Sequence, residues 1–143
     1  MALSELRVSE LLAALREPTP APASGAAAAL TGAFAASLVE LAGHFANDGA
    51  AVARAHALST RLTQLADEDA AAYTAFMQTR SDEARRRTIE VPEEIAENAD
   101  EVERLAARLG TQLKSSVAGD AEAAEELART AARVARRLAE LNA

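Results

Sequence analysis

The feature that most constrains the fold is an uncharged, alanine-rich stretch between Pro18 and Val39. Its length matches a membrane span, but Pro, Ser, Thr and Gly interrupt the alanines, which is unlike the composition of a bilayer helix. A helix that is apolar on nearly all sides is usually buried on all of them. We therefore expect a central helix from about Gly25 to Phe45, covered by its own chain and by a second subunit.

Aromatic side chains are scarce in the whole sequence. Half of the residues are apolar, yet there are three Phe, one Tyr and no Trp. An interior built from Ala, Leu and Val requires helices that lie close together, because protein cores are packed to a fixed density. The 143 residues suit one core, so we expect a single helical domain over residues 1–143.

Apolar residues recur at three- and four-residue spacing along the chain, a pattern typical of amphipathic helices. Beside the central helix, the pattern predicts one helix from Leu3 to Arg16, with Ser4 as its N-cap, and another from about Gly49 to Gln78. Near-aligned helices joined by short turns favour an antiparallel bundle of about five or six helices. The expected fold class is all-α.

Two helix boundaries are predicted in the second half of the chain. Pro92 is unfavourable inside a helix, so a short helix should end at about Thr88 and a new one should begin at the proline. Asp120 is explained most simply as the N-cap of a last helix that runs to Leu141. The spacing of that helix predicts a buried seam that consists of Ala124, Leu127, Ala131, Val134, Leu138 and Leu141.

Charge and composition exclude several classes of function. The net charge of -7 opposes binding to a phosphate backbone, so we expect no nucleic-acid partner. The chain has no Cys and two His, so Cys-ligated zinc is excluded and no metal is expected. Glu5 and Glu10 precede any long apolar run, which is unlike a secretory signal. We expect a cytoplasmic protein without a membrane partner.

Asp69 is the strongest candidate for chemistry among the residues themselves. It is the one exception in the otherwise apolar stripe of its helix, which includes Leu62, Leu65 and Ala72. A carboxylate on such a seam needs a partner, a water-filled cleft or a ligand to offset its desolvation, and burial would raise its pKa. The alternatives are structural, namely a bond to a polar group of a neighbouring helix or a place at the rim of the core.

A proline-rich segment, from Pro18 to Gly25, leads directly into the most apolar helix. It could be a linker, but it is short, so we expect a shaped loop that packs at the start of that helix. The N-terminus of a helix offers free N–H groups. A functional site requires that this loop and Asp69 lie close enough to touch one bound molecule.

Five segments of the chain form an ordered set: Val8–Leu15, Pro18–Ala33, Asp67–Tyr73, Val91–Ala96 and Asp120–Ala124. Together they resemble the cyclodeaminase/cyclohydrolase family of all-helical folate enzymes. That family includes formimidoyltetrahydrofolate cyclodeaminase and a methenyltetrahydrofolate cyclohydrolase. The second segment, with its Thr-Pro-Ala-Pro sequence, is the most distinctive.

The resemblance implies a helical homodimer that binds a tetrahydrofolate derivative in a cleft at or near the subunit interface. The implied reaction is hydrolysis of 5,10-methenyltetrahydrofolate to 10-formyltetrahydrofolate, or deamination of 5-formiminotetrahydrofolate, with no cofactor beyond the tetrahydrofolate substrate. Asp69 and Asp120 stand at positions similar to the aspartates of the family's site, which implies a catalytic role. The loop residues implied to bind the substrate are Thr19, Pro20, Pro22, Ser24 and Gly25.

Two questions stay open at the level of sequence. Asp69 could stabilise the methenyl cation and accept a proton from water, or it could hold the aminopyrimidine of the pterin. The family has three glycines after the last proline of the loop, where this chain has Ala23, Ser24 and Gly25. An alternative function is therefore that of a non-catalytic relative, a helical dimer that binds a small ligand or a protein.

Overall fold

Five α-helices follow one short 3-10 turn in the computed structural model, which describes residues 1–143 apart from the side chain of Ser115. No strand occurs among the described residues, and the all-α prediction is confirmed. The 3-10 turn is Leu3–Glu5, and the helices are α1 Val8–Arg16, α2 Ser24–Phe45, α3 Gly49–Thr79, α4 Asp82–Gly110 and α5 Ser115–Asn142.

Alanine builds much of the core that α2, α3, α4 and α5 share. The largest fully buried side chains come mainly from α3 and α4, whereas the buried residues of α2 are Ala and Gly apart from Val39. Small residues allow close approach: a Cβ at Gly32 would lie 3.2 Å from the nearest methyl of Leu62. α2 contacts α3, α4 and α5, so its predicted central place is confirmed.

The small side of α2 faces the core, and its large side faces outward. Phe34, Leu41 and Phe45 are 63%, 40% and 60% exposed, so this chain covers one side of α2, and the second subunit expected to cover the other side stays a prediction. By length and composition alone α2 could cross a membrane, and 56% of its apolar window is buried inside the bundle. Such an outward row of large apolar side chains is unusual for a solvent-exposed surface.

α5 is oriented in the same way. Three members of its predicted seam, Leu127, Val134 and Leu141, are exposed, while Ala128 and Ala135 are fully buried. The prediction assumed that the largest apolar residues mark the buried side of a helix. Here α2 and α5 pack against each other, and their close approach leaves room only for small side chains between them.

α4 continues through Pro92, so the predicted boundary there is wrong. Proline has no N–H to donate to the carbonyl four residues earlier, which belongs to Thr88. The side-chain amide of Asn142 donates to that carbonyl instead, with an Nδ2–O distance of 2.9 Å. α4 starts after Ser81, whose hydroxyl accepts a hydrogen bond from the Ala84 N–H at 3.1 Å.

Two predicted N-caps are also wrong. α5 begins at Ser115, so Asp120 lies inside the helix and does not cap it. The first predicted helix divides into the 3-10 turn and α1, and Ser4 lies within that turn. By contrast, Asp48 does cap α3 and accepts a hydrogen bond from the Ala51 N–H at 3.0 Å.

Charged side chains connect α3 to α4 close to Asp69. Arg61 donates to Glu94 at 2.6 Å and to Glu68 at 2.5 Å, and Arg87 donates to Glu68 at 3.2 Å. The Arg61 guanidinium holds the pKa of Glu94 below its usual range. Since Glu68 immediately precedes Asp69, these contacts help to set the rotation of α3 that turns Asp69 inward.

Candidate functional site

Asp69 lies on the core-facing side of α3, between the buried residues Leu65 and Ala72. Its carboxyl group occupies the space beside Gly25, in the first turn of α2. A Cβ at position 25 would overlap the carboxyl group, so this arrangement requires glycine there. The sequence features that predicted a site, the seam carboxylate and the loop before α2, therefore lie against each other.

Burial raises the pKa of Asp69 from 3.8 to about 6. Desolvation is the sole cause of this shift: the described residues place no hydrogen-bond donor or cation at the carboxylate. The alternative in which Asp69 bonds a polar group of a neighbouring helix thus has no such bond in the described chain. A carboxyl with a pKa near 6 is mostly ionised at neutral pH and can still accept a proton.

A cavity of about 320 Å³ opens beside Asp69, within the size range of small-molecule sites. Four helices and the loop before α2 contribute to it. Asp69, Tyr73 and Met77 follow one another at four-residue spacing and form one face of α3 toward the cavity. The other lining residues are Pro20, Ala21, Ala23, Ser24, Gly25, Thr88, Leu138, Leu141 and Asn142.

The lining of this cavity is mainly apolar with one charged group. Asp69 is the sole charged side chain among the described lining residues, and Ser24, Tyr73, Thr88 and Asn142 add neutral polar groups. A buried carboxylate without a counter-ion disfavours anions and favours a cation or an N–H donor. The cavity therefore suits a largely apolar ligand that is positively charged or carries N–H groups where it meets Asp69.

Three of the predicted loop residues, Pro20, Ser24 and Gly25, line the cavity with Asp69. Thr19 and Pro22 belong to the same loop but are not among the lining residues. The hydroxyl of Thr19 donates to the Ala21 carbonyl at 3.3 Å, so it helps to shape the loop. The structure thus divides the predicted set into residues that face the cavity and residues that support them.

The comparisons with known proteins show the family of the chain. The family model described as formiminotransferase-cyclodeaminase matches residues 7–143, which is nearly the whole chain. The chain belongs to that family. The resemblance stated from the sequence is therefore confirmed, whereas no curated protein matches the chain.

A solved structure shows the same fold. The crystal structure of formiminotetrahydrofolate cyclodeaminase from Thermotoga maritima superposes with a TM-score of 0.92 at 19% sequence identity. The match covers 98% of this chain and 79% of that one. At this identity the comparison shows the fold alone.

Asp120 lies far from the cavity that Asp69 lines in this chain. It lies near the start of α5, whereas Leu138, Leu141 and Asn142 line the cavity from the opposite end of that helix. At 1.5 Å per residue, Asp120 and Leu138 are separated by roughly 27 Å along the helix axis. Within one chain the two predicted catalytic aspartates therefore do not meet.

Sequence reasoning missed half of the cavity. Tyr73 and Met77 could have been found, because they follow Asp69 on the same face of one helix. Thr88 and the α5 residues could not, because their place depends on which helix ends meet in space. No local pattern near Leu138, Leu141 or Asn142 indicates a cavity.

Proposed function

We propose that this chain is a folate-linked one-carbon enzyme that acts at the Asp69 cavity on 5,10-methenyltetrahydrofolate or 5-formiminotetrahydrofolate. The observation that carries the proposal is the buried Asp69 carboxylate, without a partner among the described residues, beside the loop that leads into α2. Family membership supplies the substrate class. No cofactor beyond the tetrahydrofolate substrate is expected, and the cytoplasmic location remains a prediction.

The proposed chemistry uses one carboxylate in two ways. The methenyl bridge of the substrate carries a positive charge shared between two nitrogens, and a buried carboxylate stabilises such a cation. Water that attacks the bridge carbon must lose a proton, and Asp69, with its pKa near 6, can accept it. In cyclodeamination, the formimino group closes to the same cation as ammonia leaves, so Asp69 would stabilise the product of that step.

The cavity is matched to the ring end of a folate. Its apolar lining suits a flat heterocycle, and its one carboxylate suits either the bridge cation or the N–H groups of an aminopyrimidine. The carboxylate tail of a folate is better placed outside, because the described lining residues include no Arg or Lys to pair with it. The pterin-anchor role of Asp69 thus stays open beside the proton-acceptor role.

The test is the loss of the near-ultraviolet absorbance of methenyltetrahydrofolate. We expect turnover above the buffer rate in the wild type and a loss of about 100-fold or more in Asp69→Asn, the range of general acid–base catalysis. Glu122→Gln, an exposed change on α5, is the matched control and should keep wild-type turnover. A gain of the same absorbance from 5-formiminotetrahydrofolate measures the cyclodeaminase reaction. Wild-type activity equal to buffer with both substrates, or an unaffected Asp69→Asn variant, would refute the proposal.

The same preparations test Asp120. Asp120→Asn should keep turnover if the site is formed within one chain, because Asp120 lies at the far end of α5 from the cavity. A large loss in this variant, with unchanged stability, would mean that Asp120 contributes to the site from a second copy. Either result settles the role of the second predicted aspartate.

A second candidate function is ligand binding without turnover. The observation that favours it is that the described cavity lining contains one carboxylate and no imidazole, so proton transfer has a single candidate group besides the Tyr73 phenol. Thermal shift with the stable analogue 5-formyltetrahydrofolate separates the two functions. Stabilisation of about 2.7 kcal/mol at 100 times the dissociation constant, without turnover of methenyltetrahydrofolate, would favour the binding role.

We also infer that two copies of the chain pair through the outward sides of α2 and α5. The exposed row of Phe34, Leu41 and Phe45 lies on α2, and Leu127 and Val134 are exposed on α5, which packs beside it. The two helices run antiparallel, because the start of α2 and the end of α5 meet at the cavity. Contiguous exposed apolar surface of this kind marks interfaces.

Light scattering tests the pairing. The wild type should be a dimer at micromolar concentration, and Phe34→Asp should dissociate it by placing a charge in the apolar surface. Val8→Asp is the control, because Val8 is 71% exposed on α1, which is not one of the two helices of the proposed surface. A monomeric wild type, or a Phe34→Asp variant that remains dimeric, would contradict the inference.

A further inference from the structure

The last turn of α5 forms one wall of the cavity. Leu138, Leu141 and Asn142, at three- and four-residue spacing, line it from α5, while Asp69 and Tyr73 line it from α3. The shape of the cavity therefore depends on what holds the end of α5 in place.

Two hydrogen bonds tie this turn to the start of α4. The side-chain amide of Asn142 donates to the Thr88 carbonyl, with an Nδ2–O distance of 2.9 Å. The Arg85 Nε donates to the Asn142 carbonyl at 3.2 Å. Thr88 is 4% exposed and itself lines the cavity, and its hydroxyl donates to the Arg85 carbonyl at 2.6 Å. The end of α5 and the first turns of α4 thus form one bonded unit.

The bond from Asn142 meets a need that Pro92 creates. In an α-helix the N–H of residue 92 would donate to the carbonyl of residue 88, and proline has none. Pro92 and Thr88 are both buried, so water cannot readily satisfy that carbonyl, and an unpaired buried carbonyl is destabilising. The Asn142 amide supplies the missing donor from another helix.

The same bond fixes the orientation of the Asn142 amide. One of its two N–H groups is engaged with Thr88, so the oxygen Oδ1 and the second N–H remain as the polar groups of a side chain that lines the cavity. Asp69 is also an acceptor. Two acceptors and no cation around a mainly apolar space suit a flat ligand edge that carries N–H groups.

We propose that Asn142 is a positioning residue of the cavity. Its amide N–H fills the hydrogen-bonding gap that Pro92 leaves in α4. This bond holds the α5 wall in place and keeps the amide oxygen of Asn142 toward an N–H edge of the ligand. The part that concerns Pro92 stands on the geometry alone. The part that concerns the ligand rests on the proposed function.

A double-mutant cycle tests the first part by thermal unfolding. Asn142→Ala should lower the Tm by about 2–4 °C, because it leaves the Thr88 carbonyl unpaired. In a Pro92→Ala background, residue 92 regains an N–H for that carbonyl, so the same change should lower the Tm by less than about 1 °C. Equal losses in the two backgrounds would overturn this part of the proposal.

Asn98→Ala is the matched control for the cycle. Asn98 is half-buried on α4, and its amide donates to a backbone carbonyl, that of Glu94, at 2.8 Å. This bond does not involve Pro92 or the cavity. Its removal should lower the Tm by the same amount with Pro92 or Ala at position 92.

Affinity for 5-formyltetrahydrofolate, measured by calorimetry, tests the second part. Asn142→Ala should weaken binding about tenfold, and Asn98→Ala should leave it unchanged. The double variant Pro92→Ala/Asn142→Ala should stay tenfold weaker although its stability is restored, because the wall and the acceptor are still lost. Recovered affinity in the double variant, or wild-type affinity in Asn142→Ala, would overturn this part.

These readouts separate the two proposals. If the wild type neither binds the analogue nor turns over methenyltetrahydrofolate, the proposed function and the ligand part fail together. The thermal cycle then still decides whether Asn142 fills the gap at Pro92.

Discussion

A methyl group at Gly25 would enter the space that the Asp69 carboxyl occupies. The Cβ of an alanine there would overlap that carboxyl group, so the Asp69 side chain must turn away. Overpacking of this kind costs about 1–3 kcal/mol, while alanine is favoured over glycine in a helix by up to about 1 kcal/mol. Gly25→Ala should therefore lower the free energy of unfolding by about 0–2 kcal/mol and keep the fold.

The effect on function should be much larger than the effect on stability. With its carboxylate displaced, the variant should lose turnover of methenyltetrahydrofolate by about 100-fold or more. Gly119→Ala in α5 is the matched control: a Cβ there meets nothing within 4 Å, so the change should stabilise by about 0.5–1 kcal/mol and leave turnover intact. Urea unfolding and the absorbance assay measure both quantities. Wild-type turnover in Gly25→Ala would refute the reasoning, since it would show that the position of the carboxylate is not required.

Three other changes test the energetics. Asp69 should contribute a loss of about 3 kcal/mol of stability as the pH rises from about 4 to above 6, because the unfolded carboxyl ionises near 3.8 while the folded one, with its pKa about 6, keeps its proton longer. Urea unfolding should show this loss as a change in the stability difference between the wild type and Asp69→Asn, since carboxylates with a lowered pKa, such as Glu94, act in the opposite direction in both proteins. A difference that stays constant with pH would contradict the raised pKa. Ser81→Ala should lower the free energy of unfolding by about 1 kcal/mol, because it removes the N-cap of α4. Ser116→Ala is the control and should change it little; equal effects of the two changes would contradict the capping role. Arg61→Met should lower the free energy of unfolding by about 1 kcal/mol at low salt and by less at 1 M salt, because salt screens the ion pairs of Arg61 with Glu94 and Glu68. A loss that does not depend on salt would mean that Arg61 stabilises the protein by packing and not by charge.

The helical class, the central place of α2 and the meeting of Asp69 with the loop before α2 could be predicted from sequence. Each depends on a local irregularity in a regular pattern: an uncharged run, a carboxylate on an apolar seam, and prolines directly before a helix. Such irregularities are costly to accommodate, so they restrict where the residues can lie.

The orientation of α2 and α5 could not be predicted in the same way. Periodicity finds the two sides of a helix, but Phe34 and Leu127 face outward because neighbouring helices approach too closely for large side chains between them. The choice of buried side is a property of helix pairs. A second copy that covers the outward side would restore the usual rule.

The contacts of Pro92 and Asn142 show a second limit. A proline predicts a break unless another group satisfies the carbonyl it leaves unpaired, and that group lies 54 residues from Thr88 along the chain. Asp120 shows the reverse case, in which a predicted helix start is absent. Its sequence resembles that of an N-cap, but the helix already begins at Ser115. Both outcomes depend on tertiary contacts that local sequence does not contain.

The most direct test of the central claim is a titration of the Asp69 carboxyl by carbon-13 NMR, without and with 5-formyltetrahydrofolate. The free protein should show a pKa of about 6 for this group, and bound ligand should shift that pKa, because its N–H groups or charge meet the carboxylate. A pKa near 3.8, or one near 6 that saturating ligand leaves unchanged, would contradict the claim that Asp69 is the group on which a folate binds.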